Sequence, residues 1–522
     1  MRGNDPEISV PSSDGSKTES TRCDLDTGQH RPRRGSGGAL RAEDKPRSVA
    51  TSAAAGMLRA HIMDSFLSLH GLVVVVGLLT YVVTSHLLEQ RRHPTAAIAW
   101  VLFMVLLPYV VLPMFLTFGS RKVARPRSAR GLNVEPLAPG GSWALQTLHA
   151  LGQLAPAAYR ELQVHANGSQ ALHSLWCNLD AAQQSIDLCT FILGRDQVGQ
   201  QVIDKLCAKA RAGVRVRLLL DGMGSLMAGR PNLKPLRAAG ASVALFVPPL
   251  HSPLKGRTNL RDHRKMLIVD GATETRRLWS GGRNLASEYF EGEPGKAAWH
   301  DLSFDLEGPL VLQALALFER DWAFANTERA PQEMPPEADA DDSPAHGAQL
   351  VASGPDQVDD TVYALLLTAA YQARRHIALV TPYFVPDAAL LMALCLAARR
   401  GVVVELLIPA RSNHRLSDIA RGRALRALAQ AGAHIWLAPQ MLHAKLAVID
   451  DQLALGGSAN VDSRSLFLNY EMMIAFHEAN DVRQFGVWFE RERQSAQPFA
   501  LHKPGLARDV AEGMVLWVGF QL

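Results

Sequence analysis

The sequence has little cysteine and no paired cysteine motif. Its five cysteines form no C-x-x-C pair, which argues against a disulfide framework and against a zinc site. Charge of one sign is scarce too, because 54 basic and 50 acidic residues leave a formal net charge of +4. An excess this small does not indicate a nucleic-acid partner. With 48% hydrophobic residues, the composition is that of a globular protein in a reducing compartment, with some membrane character.

Two long stretches, 66–88 and 94–120, contain no Asp, Glu, Lys or Arg. Each exceeds the roughly 20 residues needed to cross a bilayer, which disfavours the alternative of two buried core helices. The short connector "EQRRHP" predicts that they form a transmembrane helical hairpin over 64–120. Basic residues are more numerous after the second stretch than in the connector. By the positive-inside tendency, the large C-terminal part then faces the cytoplasm.

The chain is long enough for two or three domains. Residues 1–60 lack apolar periodicity and are rich in polar residues, so we predict a disordered extension. A soluble α/β protein then follows twice, at 145–327 and 348–500, joined by an acidic, proline-rich linker at 328–347. A tail at 501–522 contains "MVLWVGFQL", which is too short to span a bilayer. It could lie at a membrane interface, but we expect it to pack on the core.

Matching text in the two halves indicates an internal duplication. "SIDLCTFIL" at 185–193 corresponds to "HIALVTPYF" at 376–384, and "KARAGVRVRLLLD" at 209–221 to "AARRGVVVELLIP" at 397–409. The offset between such pairs is nearly constant, as expected of a repeat. Within each half, apolar runs of strand length alternate with amphipathic helical stretches. The predicted fold class is therefore α/β, with two duplicated halves of largely parallel or mixed sheet covered by helices and packed together.

Each half carries one copy of the pattern H-x-K-x-x-x-x-D, in "NLRDHRKMLIVDG" and in "MLHAKLAVIDD". The run after each lysine has the pattern of a strand, so the histidine and lysine, two residues apart, project from the same face. One copy alone is typical of an edge histidine beside a solvated lysine. Two copies at corresponding places indicate a shared site. The candidate residues are His263, Lys265 and Asp270 in the first copy, and His443, Lys445 and Asp450 in the second.

Both motifs are followed by a glycine-led turn, "SGGRN" ending at Asn284 and "GGSAN" ending at Asn460. Glycine there lets backbone N–H groups approach an anion closely, and the asparagine adds a donor. A carboxylate follows in each half, Asp301 in "WHD" and Glu471 in "NYE". If the halves pack face to face, histidines, lysines and asparagines from both converge on one pocket.

Such a pocket suits a phosphate diester. Lysines offset its charge, and fixed donors stabilise the oxygens of the transition state. One neutral histidine can attack phosphorus, while the other donates a proton to the departing alkoxide and then deprotonates the incoming alcohol. A carboxylate on the second nitrogen of each imidazole would fix its tautomer. This chemistry requires no metal and no cofactor, and the sequence has no convincing set of metal ligands.

The paired motifs resemble the phospholipase D superfamily. The text "RRHPTAAIAWVLFMVLLP", "GGRNLASEY", "TPYFVPD" and "GSANVDSRSLFLNYE" resembles its bacterial cardiolipin synthase branch, over about residues 64–500. The resemblance implies that the six motif residues are catalytic, with His263 as the usual nucleophile. It also implies that Asn284, Asn460 and Ser458 contact the phosphate, and that Asp301 and Glu471 support the imidazoles.

The activity implied by this resemblance is transfer of a phosphatidyl group between two phosphatidylglycerols, giving cardiolipin and glycerol. Phosphatidylethanolamine is an alternative lipid partner, and the implied location is the bacterial inner membrane, with several spans. A hydrolytic phospholipase D with the same intermediate stays open. A nuclease is disfavoured by the hairpin and the modest charge. A non-catalytic protein that binds anionic lipid is disfavoured because both histidines are present. Two features depart from the family pattern: the long segment "GATETRRLWS" and the N-terminal extension.

Overall fold

The computed structural model describes residues 48–87, 94–118, 142–248, 259–327, 347–357 and 359–518. Most of the predicted extension, residues 1–47, and most of the predicted linker, residues 328–346, lie outside these ranges. The first helix begins at Ser48, so residues 48–60, which we assigned to the disordered extension, are helical. The three N-terminal helices are α1 (Ser48–Leu87), α2 (Pro94–Leu106) and α3 (Pro108–Phe118).

Among the described residues, one helix contains a stretch long and apolar enough to cross a membrane. This stretch is Gly56–Ser85 of α1, with 30 residues and a mean hydropathy of 2.2. The second predicted span is two helices rather than one, because the helix is interrupted at Leu107. The next residue, Pro108, has no N–H to donate and disfavours helical backbone in the residue before it. A second membrane span over 94–120 therefore stays a prediction.

Helix α1 packs against α2 and α3. Met104 of α2 and Phe115 of α3 are buried in this contact. The rings of Tyr81 and Phe115 lie 5.3 Å apart between centroids. A Cβ added at Gly77 would lie 3.2 Å from the sulfur of Met104, so the small residue lets the helices approach closely.

The first half forms a seven-stranded mixed sheet with the strand order β1-β8-β7-β6-β2-β3-β4. Strands β2, β3 and β4 run parallel, and β6 pairs antiparallel with β2. A short 3-10 helix (Ser287–Tyr289) follows β7. The elements are α4 (Trp143–Ala150), β1 (Arg160–Val164), α5 (Gly168–Ala181), β2 (Ser185–Thr190), α6 (Gln197–Arg211), β3 (Arg215–Asp221), α7 (Gly222–Met227), α8 (Lys234–Ala238), β4 (Ser242–Phe246), β5 (Arg261–Asp262), β6 (Met266–Val269), β7 (Arg277–Gly281), β8 (Ser303–Glu307) and α9 (Leu310–Asn326).

The second half repeats this order as β9-β17-β15-β14-β10-β12-β13 within a nine-stranded sheet, which confirms the predicted duplication. The elements are β9 (Ala348–Ser353), α10 (Thr361–Gln372), β10 (His376–Val380), β11 (Phe384–Val385), α11 (Ala388–Arg399), β12 (Val403–Pro409), α12 (Arg415–Gln430), β13 (His434–Ala438), β14 (Leu446–Ile449), β15 (Leu453–Gly457), β16 (Val461–Asp462), α13 (Ser463–Phe467), β17 (Asn469–Phe476), α14 (Ala479–Gln494), β18 (Gln497–Pro498) and α15 (Leu506–Val518).

The two halves share one apolar core. The ring of Phe304 on β8 meets the rings of Phe476 on β17 and Phe485 on α14, with centroids 5.5 and 5.9 Å apart. All three side chains are fully buried, so this contact contributes several kcal/mol of hydrophobic stabilisation by the usual area estimate, about 25 cal/mol per Å². The short strand β5 of the first half also pairs in parallel with β17 of the second.

Two helices that lie outside residues 348–500 pack on the second half. Helix α4 falls in the predicted first half, but Ala144 and Leu148 are buried in the core of the second half. Helix α15, in the predicted tail, packs on α12, where Glu512 is fully buried and pairs with Arg426 at 2.6 Å. Sequence periodicity shows that a helix has an apolar face, but it does not show which half covers that face.

The aspartate of each motif lies at the end of its strand away from the histidine. Asp270 has a positive φ of 49°, and its carboxylate accepts the N–H groups of residues 183–185 at 3.0, 2.7 and 2.8 Å. Asp450 has a φ of 50° and accepts the N–H groups of residues 374–376 at 3.0, 2.9 and 2.8 Å. Each carboxylate satisfies three backbone donors that would otherwise be left buried or half-buried.

Replacing Asp450 by alanine should therefore lower the free energy of unfolding, while the catalytic rate of the protein that remains folded should change little. Loss of a charged acceptor for three amides should cost about 2–4 kcal/mol of unfolding free energy. Denaturant titration of the detergent-solubilised chain would measure it. Asp451→Ala is the matched control, because that neighbouring carboxylate is exposed and pairs with an exposed arginine. Equal stability of the two variants would contradict the structural role.

Candidate active site

Each motif histidine is paired with a carboxylate from the other half. His263 Nδ1 lies 3.2 Å from Glu471 Oε1, and His443 Nδ1 lies 2.7 Å from Asp301 Oδ2. Both carboxylates are almost fully buried. His443 Nδ1 is hydrogen-bonded to Asp301, whereas His263 Nδ1 lies near Glu471 without hydrogen-bond geometry. A carboxylate beside Nδ1 favours the proton on that nitrogen, which leaves Nε2 available for chemistry.

Backbone hydrogen bonds between the halves hold these pairs in place. The N–H of His263 donates to the carbonyl of Tyr470 at 2.9 Å, and the N–H of His443 donates to the carbonyl of His300 at 2.6 Å. The "NYE" segment thus runs beside the first motif, and the "WHD" segment runs beside the second. The carboxylate follows one residue later in each segment, which places it opposite the imidazole of the partner half.

The two motif lysines are buried next to the histidines. Lys265 Nζ donates to the carbonyl of His263 at 2.5 Å. Lys445 Nζ donates to the carbonyl of His443 and lies 2.8 and 3.1 Å from its two ring nitrogens. Buried ammonium groups persist where ionised carboxylates compensate them, and here Glu471 and Asp301 interact with both lysines.

Both imidazoles are neutral in this environment. Burial, together with the charge of Lys265, lowers the pKa of His263 to about 4 against the opposing effect of Glu471. Burial and Lys445 likewise lower the pKa of His443 to about 3. Burial also lowers the pKa of Lys445, to about 7. The site thus combines two neutral imidazoles with two lysines that can bind an anion.

The carboxylates remain ionised. Burial alone would raise the pKa of Glu471, but His263, Lys265 and a hydrogen bond from Ser458 together hold it below its usual value. Burial would also raise the pKa of Asp301, where His443 and Lys445 outweigh it. Ser458 Oγ donates to Glu471 Oε2 at 2.6 Å. The structure therefore places Ser458, which we expected to contact substrate, against the carboxylate.

The predicted asparagines occupy equivalent places near the site. Asn284 Nδ2 donates to the hydroxyl of Tyr289 at 2.8 Å, and Asn460 Nδ2 donates to the hydroxyl of Ser465 at 3.0 Å. Within the described residues, the buried Oδ1 of Asn460 has no hydrogen-bond partner. Phosphate contact by these amides stays a prediction. Tyr289 and Ser465 each follow their asparagine by five residues, a spacing that could have indicated them from sequence.

Sequence reasoning missed the aromatic groups around the imidazoles. The ring of Phe191 lies 4.6 Å from that of His263 between centroids. The rings of Tyr289 and Trp299 lie 5.1 and 5.7 Å from that of His443. Phe191 and Trp299 lie many positions from the motifs, and aromatic residues are common in cores, so no local pattern distinguishes these two.

The structure does not place the motif aspartates with the other candidate groups. Asp270 and Asp450 bind backbone amides beyond the far end of the four-residue strands β6 and β14. We therefore interpret them as structural rather than catalytic. No group of three or more His, Cys, Asp or Glu side chains in the described ranges could hold a metal ion.

Comparison with known proteins identifies the family. Residues 175–322 and 366–493 match the domain family described as "Cardiolipin synthase, PLD-like domain". Cardiolipin synthase 1 of Bacillus anthracis is 31% identical over 455 residues, which cover 82% of this chain and 88% of that protein. The chain belongs to the bacterial cardiolipin synthases of the phospholipase D superfamily.

Other relatives extend this result. Cardiolipin synthase A of Klebsiella pneumoniae subsp. pneumoniae is 30% identical over 448 residues, covering 80% of this chain and 90% of that protein. The crystal structure of phosphatidylserine synthase from Haemophilus influenzae superposes with a TM-score of 0.54 at 13% identity. It covers 73% of this chain and 100% of that one, and it shows the shared fold. The family assignment makes this chain an enzyme of the superfamily and a phosphatidyltransferase.

The close fit of Asp301 against Gly282 gives a test of the orienting role. A Cβ added at Gly282 would lie 2.2 Å from Asp301 Oδ1, so Gly282→Ala must displace the carboxylate from His443. We expect a loss of about 10²-fold in kcat, since a shift of about 1 Å in a catalytic group can cost that much. Initial rates of lipid transfer would measure it. Gly486→Ala is the control, because nothing lies within 4 Å of its added Cβ. Full activity of Gly282→Ala would show that the Asp301 contact is dispensable.

Proposed function

We propose that this chain is a membrane-bound synthase that makes cardiolipin from two phosphatidylglycerols and releases glycerol, through a phosphohistidine. The observation that carries the proposal is the paired arrangement of His263–Glu471 and His443–Asp301, with one buried lysine beside each pair. Two imidazoles oriented in this way can serve one phosphorus from two sides. The family assignment supplies the lipid context for that chemistry.

In the first step, Nε2 of one histidine attacks phosphorus, and the bond between phosphorus and the oxygen of the head-group glycerol breaks. We assign the attack to His263, whose side chain keeps 14% of its surface exposed, whereas that of His443 keeps 5%. His443, in its protonated form, donates its proton to the departing glycerol. Glu471 stabilises the positive charge that develops on the His263 ring.

In the second step, the hydroxyl group of another phosphatidylglycerol attacks the phosphohistidine. His443, now neutral, accepts the hydroxyl proton, the bond between phosphorus and Nε2 breaks, and cardiolipin leaves. His443 gives one proton to the departing glycerol and takes another from the incoming hydroxyl group, so the site returns to its starting state. Lys265 and Lys445 stabilise the negative charge on the phosphoryl oxygens in both transition states.

The substrate-free site is electrostatically prepared for a diester. With both imidazoles neutral, Glu471 and Asp301 balance the charge of the two buried lysines. A bound diester adds one more negative charge, which raises the pKa of nearby basic groups. We infer that protonation of His443 accompanies substrate binding. The acid for the first step is then present only when there is a leaving group to receive the proton.

Transfer is favoured over hydrolysis by the surroundings of the site. Phe191, Tyr289 and Trp299 cover the imidazoles, so little room is left for ordered water. The apolar stretch Gly56–Ser85 would hold the chain where lipid hydroxyl groups are concentrated. We further propose that the catalytic part faces the cytoplasmic side of the bacterial inner membrane, as the distribution of basic residues predicts.

Purified protein in phosphatidylglycerol vesicles should produce cardiolipin and glycerol in equal amounts. Mass spectrometry of the lipids and an enzymatic glycerol assay would measure both. His263→Asn and His443→Asn should each lower turnover by at least about 10³-fold, because both histidines act in each half-reaction. His434→Asn is the matched control, since that histidine lies on an exposed position of β13. Phosphatidic acid without cardiolipin would instead identify a hydrolytic phospholipase D.

The pH dependence of kcat/KM should report the ionisation of groups in the substrate-free site. His263 has a pKa of about 4, so it is already in its nucleophilic form at about pH 5. His443, with a pKa of about 3 in the substrate-free site, must take up a proton on binding, so kcat/KM should fall as pH rises from about 5. Lys445, with a pKa of about 7, loses its charge as pH rises further, so the alkaline limb of kcat/KM should steepen at about pH 7. Steady-state rates between about pH 5 and 9 would test this.

The corresponding limb in kcat should lie at higher pH, because the bound diester anion raises the pKa of Lys445 in the complex. An alkaline limb at the same pH in kcat and in kcat/KM would contradict the role of this lysine. Phosphatidylglycerol keeps its phosphate charge over the whole range, so the limb would not reflect the substrate.

A further inference from the structure

A buried arginine lies between the catalytic groups of the first motif. Arg264 is fully buried, and its Nε donates to the backbone carbonyl of Glu471 at 3.1 Å. Its Nη1 donates to Asp321 on α9 at 2.5 Å, and its Nη2 contacts Asp356 after β9 at 3.3 Å. The guanidinium also lies over the ring of Tyr470, 5.0 Å from its centroid. One side chain thus joins both halves at the residue that orients His263.

A second buried arginine lies beside the other histidine. Arg283, in the turn before Asn284, is 1% exposed. Its Nε donates to the carbonyl of Tyr289 at 2.9 Å, and its Nη1 donates to the hydroxyl of Ser303 at 3.1 Å. Tyr289 packs edge-on against His443, and Ser303 lies two residues after Asp301 on the same chain segment. Arg283 therefore holds both flanks of the His443–Asp301 pair.

The duplication shows that both arginines belong to the first half and have no counterpart in the second. The position equivalent to Arg264 in the second motif is Ala444, and the position equivalent to Arg283 in the second turn is Ala459. Both alanines are buried in apolar cores. Each histidine–carboxylate pair therefore has one arginine, supplied by the motif strand in one case and by the turn in the other.

We propose that Arg264 and Arg283 are positioning residues, each serving one histidine. Arg264 fixes the backbone of Glu471, so that its carboxylate faces His263. Arg283 fixes Tyr289 and Ser303, so that Asp301 and the Tyr289 ring hold His443. The inference rests on the proposed function, because it assigns the two arginines to the two chemical roles of the histidines.

The duplicated fold argues against a purely structural role. At each equivalent place the same strand or turn folds with a buried alanine, so the backbone there does not require an arginine. Burial of a guanidinium carries a desolvation cost that an apolar residue avoids. The cost is incurred at two places, and at both the arginine contacts the chain segment that carries or flanks the orienting carboxylate. A role in holding the imidazoles accounts for this distribution.

Substrates with different leaving groups can distinguish the roles of the two arginines. In a phosphatidyl ester of p-nitrophenol, the nitrophenolate leaves without being protonated. The burst of nitrophenolate in the first turnover therefore depends on the nucleophile and not on the acid. With phosphatidylglycerol, Arg264→Ala and Arg283→Ala should each lower kcat by about 10–100-fold, with KM little changed. With the nitrophenyl ester, the burst rate of Arg283→Ala should recover to near the wild-type value. That of Arg264→Ala should stay low.

Arg217→Ala is the matched control. It removes a mostly buried arginine that pairs with Asp187 at 2.6 Å and Glu319 at 2.9 Å, with no contact to either histidine. Its burst and its transfer rate should stay near wild type, even where its stability to heat is lower. Asp356→Asn provides a milder variant, since it weakens one contact of Arg264 and keeps the arginine in place. It should lower the nitrophenolate burst severalfold.

Equal recovery of both arginine variants on the nitrophenyl ester would overturn the proposal, as would an equal failure of both. A loss in Arg217→Ala as large as that in Arg264→Ala would also overturn it. Exchanged responses of the two variants would assign the nucleophile to His443 and support separate positioning. If the wild-type protein makes no cardiolipin but shows the nitrophenolate burst, the proposed acceptor is wrong. The burst rates of the two arginine variants then still test the positioning roles.

Discussion

The site depends on one exchange between the halves: each supplies the carboxylate that orients the histidine of the other. Glu471 faces His263 and Asp301 faces His443 only because the motif strands hydrogen-bond to the partner half through Tyr470 and His300. A half on its own would leave a lysine and a histidine without their carboxylate. Separation of the halves would therefore expose an apolar core and also remove the compensation of two buried cations. Folding and catalysis share the same contact.

That contact also sets the electrostatic state of the site. Burial keeps the imidazoles neutral, while the lysines stay close to two ionised carboxylates that are already engaged with the imidazoles. A phosphate diester provides one negative charge and brings no competing proton donor of its own. Preorganised charges of this kind need little rearrangement as the transition state forms, which is where electrostatic catalysis gains most.

Much of this could be predicted from sequence, for a physical reason. Repeated text and a strand pattern after Lys265 and Lys445 are local properties, so the duplicated fold and the shared face of histidine and lysine followed directly. The partner of each imidazole is set by packing between the halves, which no local period records. The pattern also groups Asp270 and Asp450 with the catalytic residues, because their contacts with backbone amides of their own half are distant in sequence and leave no local pattern. The interruption at Leu107 was missed because hydropathy does not register a lost N–H.

The two histidine pairs differ in a way that explains why the halves are not interchangeable. Glu471 has the longer side chain and is held by the hydroxyl of Ser458, whereas Asp301 has the shorter one and packs against Gly282, which occupies the equivalent place in its turn. A serine at Gly282 would collide with Asp301, and a glycine at Ser458 would leave one oxygen of Glu471 without its donor. Carboxylate length and turn residue must therefore change together. The arginines differ between the halves as well, since both come from the first half and the equivalent positions of the second have alanine. A duplicated fold can therefore carry two sites with different contacts, because the strands and turns that present the carboxylates correspond while the side chains around them differ.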